Sequence, residues 1–123
     1  MNGFISMHDM ARQIFTAMNT RDFSGLEEIM DEEAVFDFPG VEPVEGCRKV
    51  IIFLKALLRK YPTLTFTVSE VIVNENRACA VWSNQGEHID GHPYKNRGIT
   101  LLHFSGKKIN FISDYFKDTS FVK

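Results

Sequence analysis

Asp37 is the residue of this chain whose setting points most directly to chemistry. It stands in Ala34-Val-Phe-Asp-Phe-Pro39, a carboxylate between Val35, Phe36, Phe38 and Pro39. Apolar neighbours on a strand are expected to strip water from it, and desolvation disfavours the charged form and raises a carboxyl pKa. A carboxyl that titrates near neutrality can take and return a proton, which is general acid–base catalysis. The competing reading is a strand-end Asp that faces water or caps a turn. Other chemistries find less support. His88, Asp90 and His92 superficially resemble a metal set, but they flank a hairpin tip and no further ligand is in reach, so no metal is expected. The chain has no GxGxxG, Walker, GxSxG or HExxH pattern. Dinucleotide, nucleotide, serine-hydrolase and zinc-protease chemistry are therefore not expected. Cys47 and Cys79 form no CxxC pair and read as free, buried thiols in a reducing, cytoplasmic setting.

The elements that must position Asp37 follow from periodicity. Met7, Met10, Ala11, Ile14, Phe15 and Met18 recur at helical spacing, with Ser6 as the expected N-cap. A short second helix is expected after a Ser24-to-Glu27 capping box, with Leu26, Ile29 and Met30 buried. Residues 34–38 read as a strand ended by Pro39-Gly40. A third helix runs from about Cys47 to Lys60, with Val50, Ile51, Leu54, Leu57 and Leu58 as its stripe, and Pro62 stops it. Period-two texture then takes over. Strands are expected at 64–73, 78–89, 94–104 and 109–116, with Asp90-Gly91 as a two-residue hairpin. Helices first and strands afterwards argue for an α+β fold, with the helices on one face of a mainly antiparallel sheet. A strongly curved sheet under three N-terminal helices encloses a pocket, the default place for a ligand.

The totals bound the answer. The 123 residues fit one domain, 1–123, and 44% hydrophobic content suffices for a core. Fourteen basic and sixteen acidic residues give a net charge of −2, which leaves no electrostatic footprint for nucleic acid. The longest apolar run, residues 50–54, is too short to cross a bilayer, so no membrane partner is expected. The first five residues are followed at once by polar ones and carry no secretory pattern.

Several segments carry a family resemblance. Asp37-Phe-Pro-Gly-Val-Glu-Pro43 resembles the strand and Gly-x-Glu-Pro turn of ketosteroid isomerases, and Met10-Ala-Arg12 resembles the start of their first helix. The ending from Gly106 to Phe116 is similar to the closing strand of the cone-shaped NTF2-like superfamily, including its SnoaL-like (polyketide cyclase) branch. The resemblance covers nearly the whole chain. It implies the cone fold and, less specifically, an isomerase-like or polyketide-cyclase-like reaction, because one fold hosts many functions.

On that resemblance Asp37 falls on the isomerase's base. The isomerase's oxyanion hole is a helix-1 Tyr and a protonated sheet Asp. Gln13 and Thr100 stand at those two places, so both donors lack the expected acidity, and losing one preorganised donor costs about 10²–10³ in rate. Steroid isomerisation itself is therefore not expected. The SnoaL-like branch implies instead an Asp on a late strand that serves as acid and base, and Asp114 is the candidate. Facing inward it brings Ile112 and Phe116 with it and turns Ser113 and Tyr115 away. Facing outward it pairs with a surface Lys or Arg. If both Asp37 and Asp114 enter the cavity, their coupling raises one pKa.

Catalysis is thus expected from Asp37 and Asp114. Gln13, Asn96 and Thr100 would orient a carbonyl or hydroxyl, and Ile14, Phe15, Met18, Phe53, Leu54, Leu57 and Phe116 would form an apolar wall. Register decides the strand residues. A three-residue turn at 105–107 pairs Gly98 with Asp114, and a two-residue turn swaps the faces. Gly98 then either leaves room for a ligand or marks a bend. Under the pairing that puts Thr100 inside, Trp82 falls outside. With Val73, Phe111 and Tyr115 it would form an outer face for a homodimer; stacking on a ring ligand is its other use. The expected partner is a small apolar or cyclic molecule, with no cofactor. The alternative is a binding or dimerisation module of the same fold without chemistry. A transport-factor-like adaptor is a third reading.

Overall fold

Ser6 starts the first helix as expected: the Asp9 N–H donates to its hydroxyl at 3.1 Å, capping α1 (Met7–Thr20). The helix buries Met10, Ala11, Ile14, Phe15, Ala17 and Met18. It ends at Arg21, whose φ of 64° is left-handed. The computed structural model describes residues 6–118, so the reading of the first five residues lies outside the described ones. One turn of helix follows, α2 (Leu26–Ile29), without the expected capping box. The Ser24 hydroxyl donates instead to Asp22 Oδ1 at 2.7 Å, and Gly25 holds the N-cap position with no side-chain bond. Met30 does not extend this helix but opens β1 (Met30–Asp37).

A two-residue strand, β2 (Val44–Glu45), lies between β1 and α3 (Cys47–Lys60). Two residues carry no periodicity, which is why the sequence does not announce it. α3 buries Cys47, Val50, Ile51, Leu54 and Leu58. The long strands are β3 (Thr65–Asn74), β4 (Arg77–Glu87), β5 (Pro93–Ser105) and β6 (Lys108–Phe116). The sheet order is β2-β1-β6-β5-β4-β3. β1 runs parallel to β6 and every other pairing is antiparallel. α1 packs on β3 and β4 while α3 packs on β1 and β2, so the two helices cover opposite halves of one face of the curved sheet. The hollow between them is the space that β5 and β6 floor.

Both hairpin registers differ from the simplest expectation. The β4–β5 turn leaves three residues, 89–91, between the facing His88 and His92, with His88 N–H donating to His92 O at 2.8 Å and Gly91 at φ 96°. Trp82 therefore pairs with Gly98, and Ala80 with Thr100. A two-residue turn would have shifted this by one and reversed the faces. Trp82 thus shares the inner face with Thr100, and the expected outward Trp82 is corrected. Val73 also faces the core, so only Phe111 and Tyr115 of the expected outer set lie outside.

The β5–β6 turn is short, with Ser105 opposite Lys108, but a bulge between His103 and Phe104 adds a residue on β6. The two effects together set Thr100 opposite Asp114 and Gly98 opposite Phe116. Gly98 therefore makes no space beside Asp114. A Cβ there would lie 2.2 Å from Tyr115 O, so glycine is required by the close approach of β6.

Candidate functional site

Among the described residues, Asp114 is the one carboxylate in the lining of the cavity between α1, α3 and the sheet. Alternation on β6 puts it on the same face as Ile112 and Phe116, which also line the space. Across the ladder, the Thr100 hydroxyl donates to Asp114 Oδ1 at 2.7 Å, and Trp82 Nε1–H donates to Thr100 Oγ1 at 2.9 Å. Trp82 and Thr100 are 4% and 2% exposed. The carboxyl is therefore the end of a buried donor chain. Burial pushes its pKa up to about 7. The Thr100 hydrogen bond pulls the other way, and the charge of Asp37 adds a further rise.

The surroundings are aromatic. Ring contacts run Phe15–Phe66 (5.6 Å), Phe66–Trp82 (5.4 Å), Trp82–Phe116 (6.1 Å), Phe116–Phe38 (5.6 Å) and Phe38–Phe36 (5.7 Å), and all six side chains line the cavity. Ile14, Met18, Leu54 and Leu57 complete the expected apolar wall. The open space is small, about 50 Å³. That holds a few waters, whereas sites for drug-sized ligands run to about 300–1,000 Å³.

Four expected site residues lie elsewhere. Asp37 is exposed and outside the lining. Phe36 and Phe38 face inward, so alternation sends Asp37 to the outer face, opposite Ser113, whose hydroxyl makes only a long 3.5 Å contact with it. Phe36 and Phe38, the two adjacent rings that seemed to desolvate Asp37, point away from it. Gln13 lies in a shallow groove with Thr16, Thr20 and Ser24, because helical period turns Ile14 and Met18 inward and Gln13 aside. Asn96 is buried but committed: its amide donates to Tyr94 Oη and Asp118 O and accepts from the Asp118 N–H. Phe53 packs behind the wall, against Phe36 and Phe38 at 5.7 and 5.2 Å. At the hairpin tip, His88 and His92 each place Nδ1 3.0 Å from Asp90 Oδ1. The His92 N–H is the main influence holding Asp90 down at about 2.

The sequence reading missed the Trp82 N–H, Asn84, Tyr61 and Tyr94, all of which line the cavity. The alternation of Ala78, Ala80, Trp82 and Asn84 was the available signal. The hairpin register needed to assign that face was misread.

The fold places the chain in the NTF2-like cone class. The SnoaL-like domain model matches residues 11–112, and the chain belongs to that family. Among solved structures it is similar to a "putative SnoaL-like polyketide cyclase" from Jannaschia sp. CCS1, at 16% identity over 94% of this chain and 92% of that one, with a TM-score of 0.83. An NTF2-like protein of unknown function from Cytophaga hutchinsonii ATCC 33406 shares 19% identity over 95% of both chains, with a TM-score of 0.75. A "putative isomerase" from Bacillus subtilis shares 25% identity over 88% of this chain and 84% of that one, with a TM-score of 0.74. No curated protein matches. No helix among the described residues is long and apolar enough to cross a membrane.

Proposed function

We propose that the protein binds a small, mainly apolar or cyclic molecule in the cone and transfers a proton on it, with Asp114 as the acid–base group. The observation that carries this reading is a carboxyl in an aromatic cavity, held by Thr100 and Trp82, with a pKa of about 7. A base poised there removes a proton from a carbon next to a carbonyl. The C–H electron pair moves onto the carbonyl oxygen, and the protonated carboxyl returns the proton to a second carbon or oxygen. Thr100 occupies Oδ1 and leaves Oδ2 for the substrate. This step needs no cofactor. Isomerase, aldol-type cyclase and dehydratase chemistries contain it, and a hydrolase would turn the same carboxyl on water. The similarity to proteins named as a polyketide cyclase and an isomerase supports the class without choosing among them.

Asp37 acts in this scheme only through its charge, from the outer face. The test is Asp114→Asn with a panel of small cyclic ketones, followed by proton exchange into deuterated water. The variant is expected to lose about 10²–10⁴ in exchange rate while keeping the wild-type circular dichroism spectrum. Equal rates would sink the assignment. One observation favours a second reading, a binding module without chemistry: the free space of about 50 Å³ leaves little room for a substrate. That reading predicts binding of the same ketones with no exchange.

The two thiols, Cys47 and Cys79, are unpaired, which supports a reducing cytoplasmic setting. A homodimer through the outer sheet face is the expected assembly.

A further inference from the structure

We propose that Asn84 is the specificity-determining acceptor of the cavity, and that it selects an aromatic-ring ligand carrying a hydroxyl or N–H remote from Asp114. The inference rests on the proton-transfer reading for the reacting end of the ligand and on Asn84 alone for the other end. Asn84 is 8% exposed and lines the cavity, yet its Oδ1 has no hydrogen-bond partner. Among the described residues it is the one buried side-chain polar atom left so. Its ladder partner Asn96 does not supply a bond, because that amide is spent on Tyr94 and Asp118. An unpaired buried acceptor costs a folded protein stability, and native structures seldom leave one without a reason. A ligand donor is such a reason.

The body of the ligand follows from what surrounds the amide. Phe66 stands opposite Asn84 on β3, Trp82 is two residues before it on the same face, and Tyr94 is diagonal to it on β5. Rings on three sides favour another ring, which packs edge or offset against them. Asn84 is four residues along β4 from Ala80, which shares a row with Thr100 and Asp114. That is about 13 Å of strand at about 3.3 Å per residue. The donor recognised at Asn84 is thus separated from the atom that reacts at Asp114 by at least the width of a ring. A ring exceeds the present free space of about 50 Å³, so the half-buried Leu57, Phe66, Tyr94 and Phe116 must give way as it enters.

Phenol, benzaldehyde and toluene, matched in size, test this by calorimetric titration at pH 7. Phenol is expected to bind at least about tenfold tighter than the other two, and Asn84→Leu should reduce phenol to the level of toluene. Asp114→Asn should keep the preference. The proposal is overturned if no probe binds, if benzaldehyde is preferred, or if the phenol preference survives Asn84→Leu. It is also overturned if the preference disappears with Asp114→Asn instead, an outcome that leaves the proton-transfer reading standing. Asn84→Ala repeats the titration in case leucine overpacks the site. Without ligand, Asn84→Leu should melt no lower than wild type, because it removes an orphaned acceptor. A fall of more than about 5 °C with both variants would mark a structural role and overturn the proposal as well.

Discussion

Asp114 draws its proton affinity from burial, and the same burial makes it a destabilising residue once it ionises. Its pKa rises from an ordinary 3.8 to about 7 on folding. Between those values the folded chain holds a proton that the unfolded chain has released. Stability is therefore greatest below about pH 4, as far as this group is concerned, and is lost as pH climbs through 7. Asp114→Asn keeps a neutral side chain and removes this dependence. Thermal melts at pH 4 and pH 8 should show the variant close to wild type in acid and several degrees more stable in mild alkali. Parallel melting curves at both pH values would mean that Asp114 is solvated. Thr100 bears on this group through its hydrogen bond to Oδ1, and Trp82 through its hydrogen bond to the Thr100 hydroxyl, so the two position the carboxyl and leave Oδ2 to react.

At the scale of elements, one side chain joins three of them. The Arg21 guanidinium donates to Met18 O at the end of α1, to Tyr61 O and Pro62 O just beyond α3, and to Leu64 O just before β3. It satisfies the carbonyls that two helix ends leave without partners, and its charge suits both C-termini. Arg21→Ala should cost about 2–4 kcal/mol, since it strands several acceptors at once; urea denaturation would measure it, and a loss below about 0.5 kcal/mol would show that water replaces the guanidinium. The elements themselves were mostly legible in the sequence. α1 and α3 have full helical stripes, the long strands alternate, and the family-like segments at Asp37 and near the C-terminus placed the fold. Which side each strand shows was much less legible. A hairpin of three residues rather than two moved Trp82 and Asn84 into the cavity, and a shorter β5–β6 turn combined with a bulge on β6 moved the partner of Thr100 from Ile112 to Asp114. Neither feature leaves a mark on hydrophobic pattern, because inner and outer faces are both apolar here. Asp37 misled for the same reason: neighbours in sequence on a strand are on opposite faces in space.

For the whole molecule, the outer sheet face is the feature that the monomer leaves open. Val81 and Ile99 pair across β4 and β5 next to Tyr115, and Cys79 and Leu101 continue the apolar row to Ile72. Tyr115 and Ile72 are 55% and 54% exposed. An apolar strip of this kind on a sheet is suited to a second copy of the chain. Light scattering at micromolar concentration is expected to give twice the chain mass, and Tyr115→Lys with Ile99→Lys to halve it. A wild-type monomer would refute the dimer.

The chain contains a single tryptophan, and its indole lies between Phe66 and Phe116 with its N–H held by Thr100. Its emission is thus a built-in optical gauge of the cavity. A dry, hydrogen-bonded indole emits towards the blue, and anything that enters beside it, or any change in the charge of Asp114 two hydrogen bonds away, alters that light. Occupancy and protonation of the site can be followed in the unlabelled protein, with no dye and no substrate turnover.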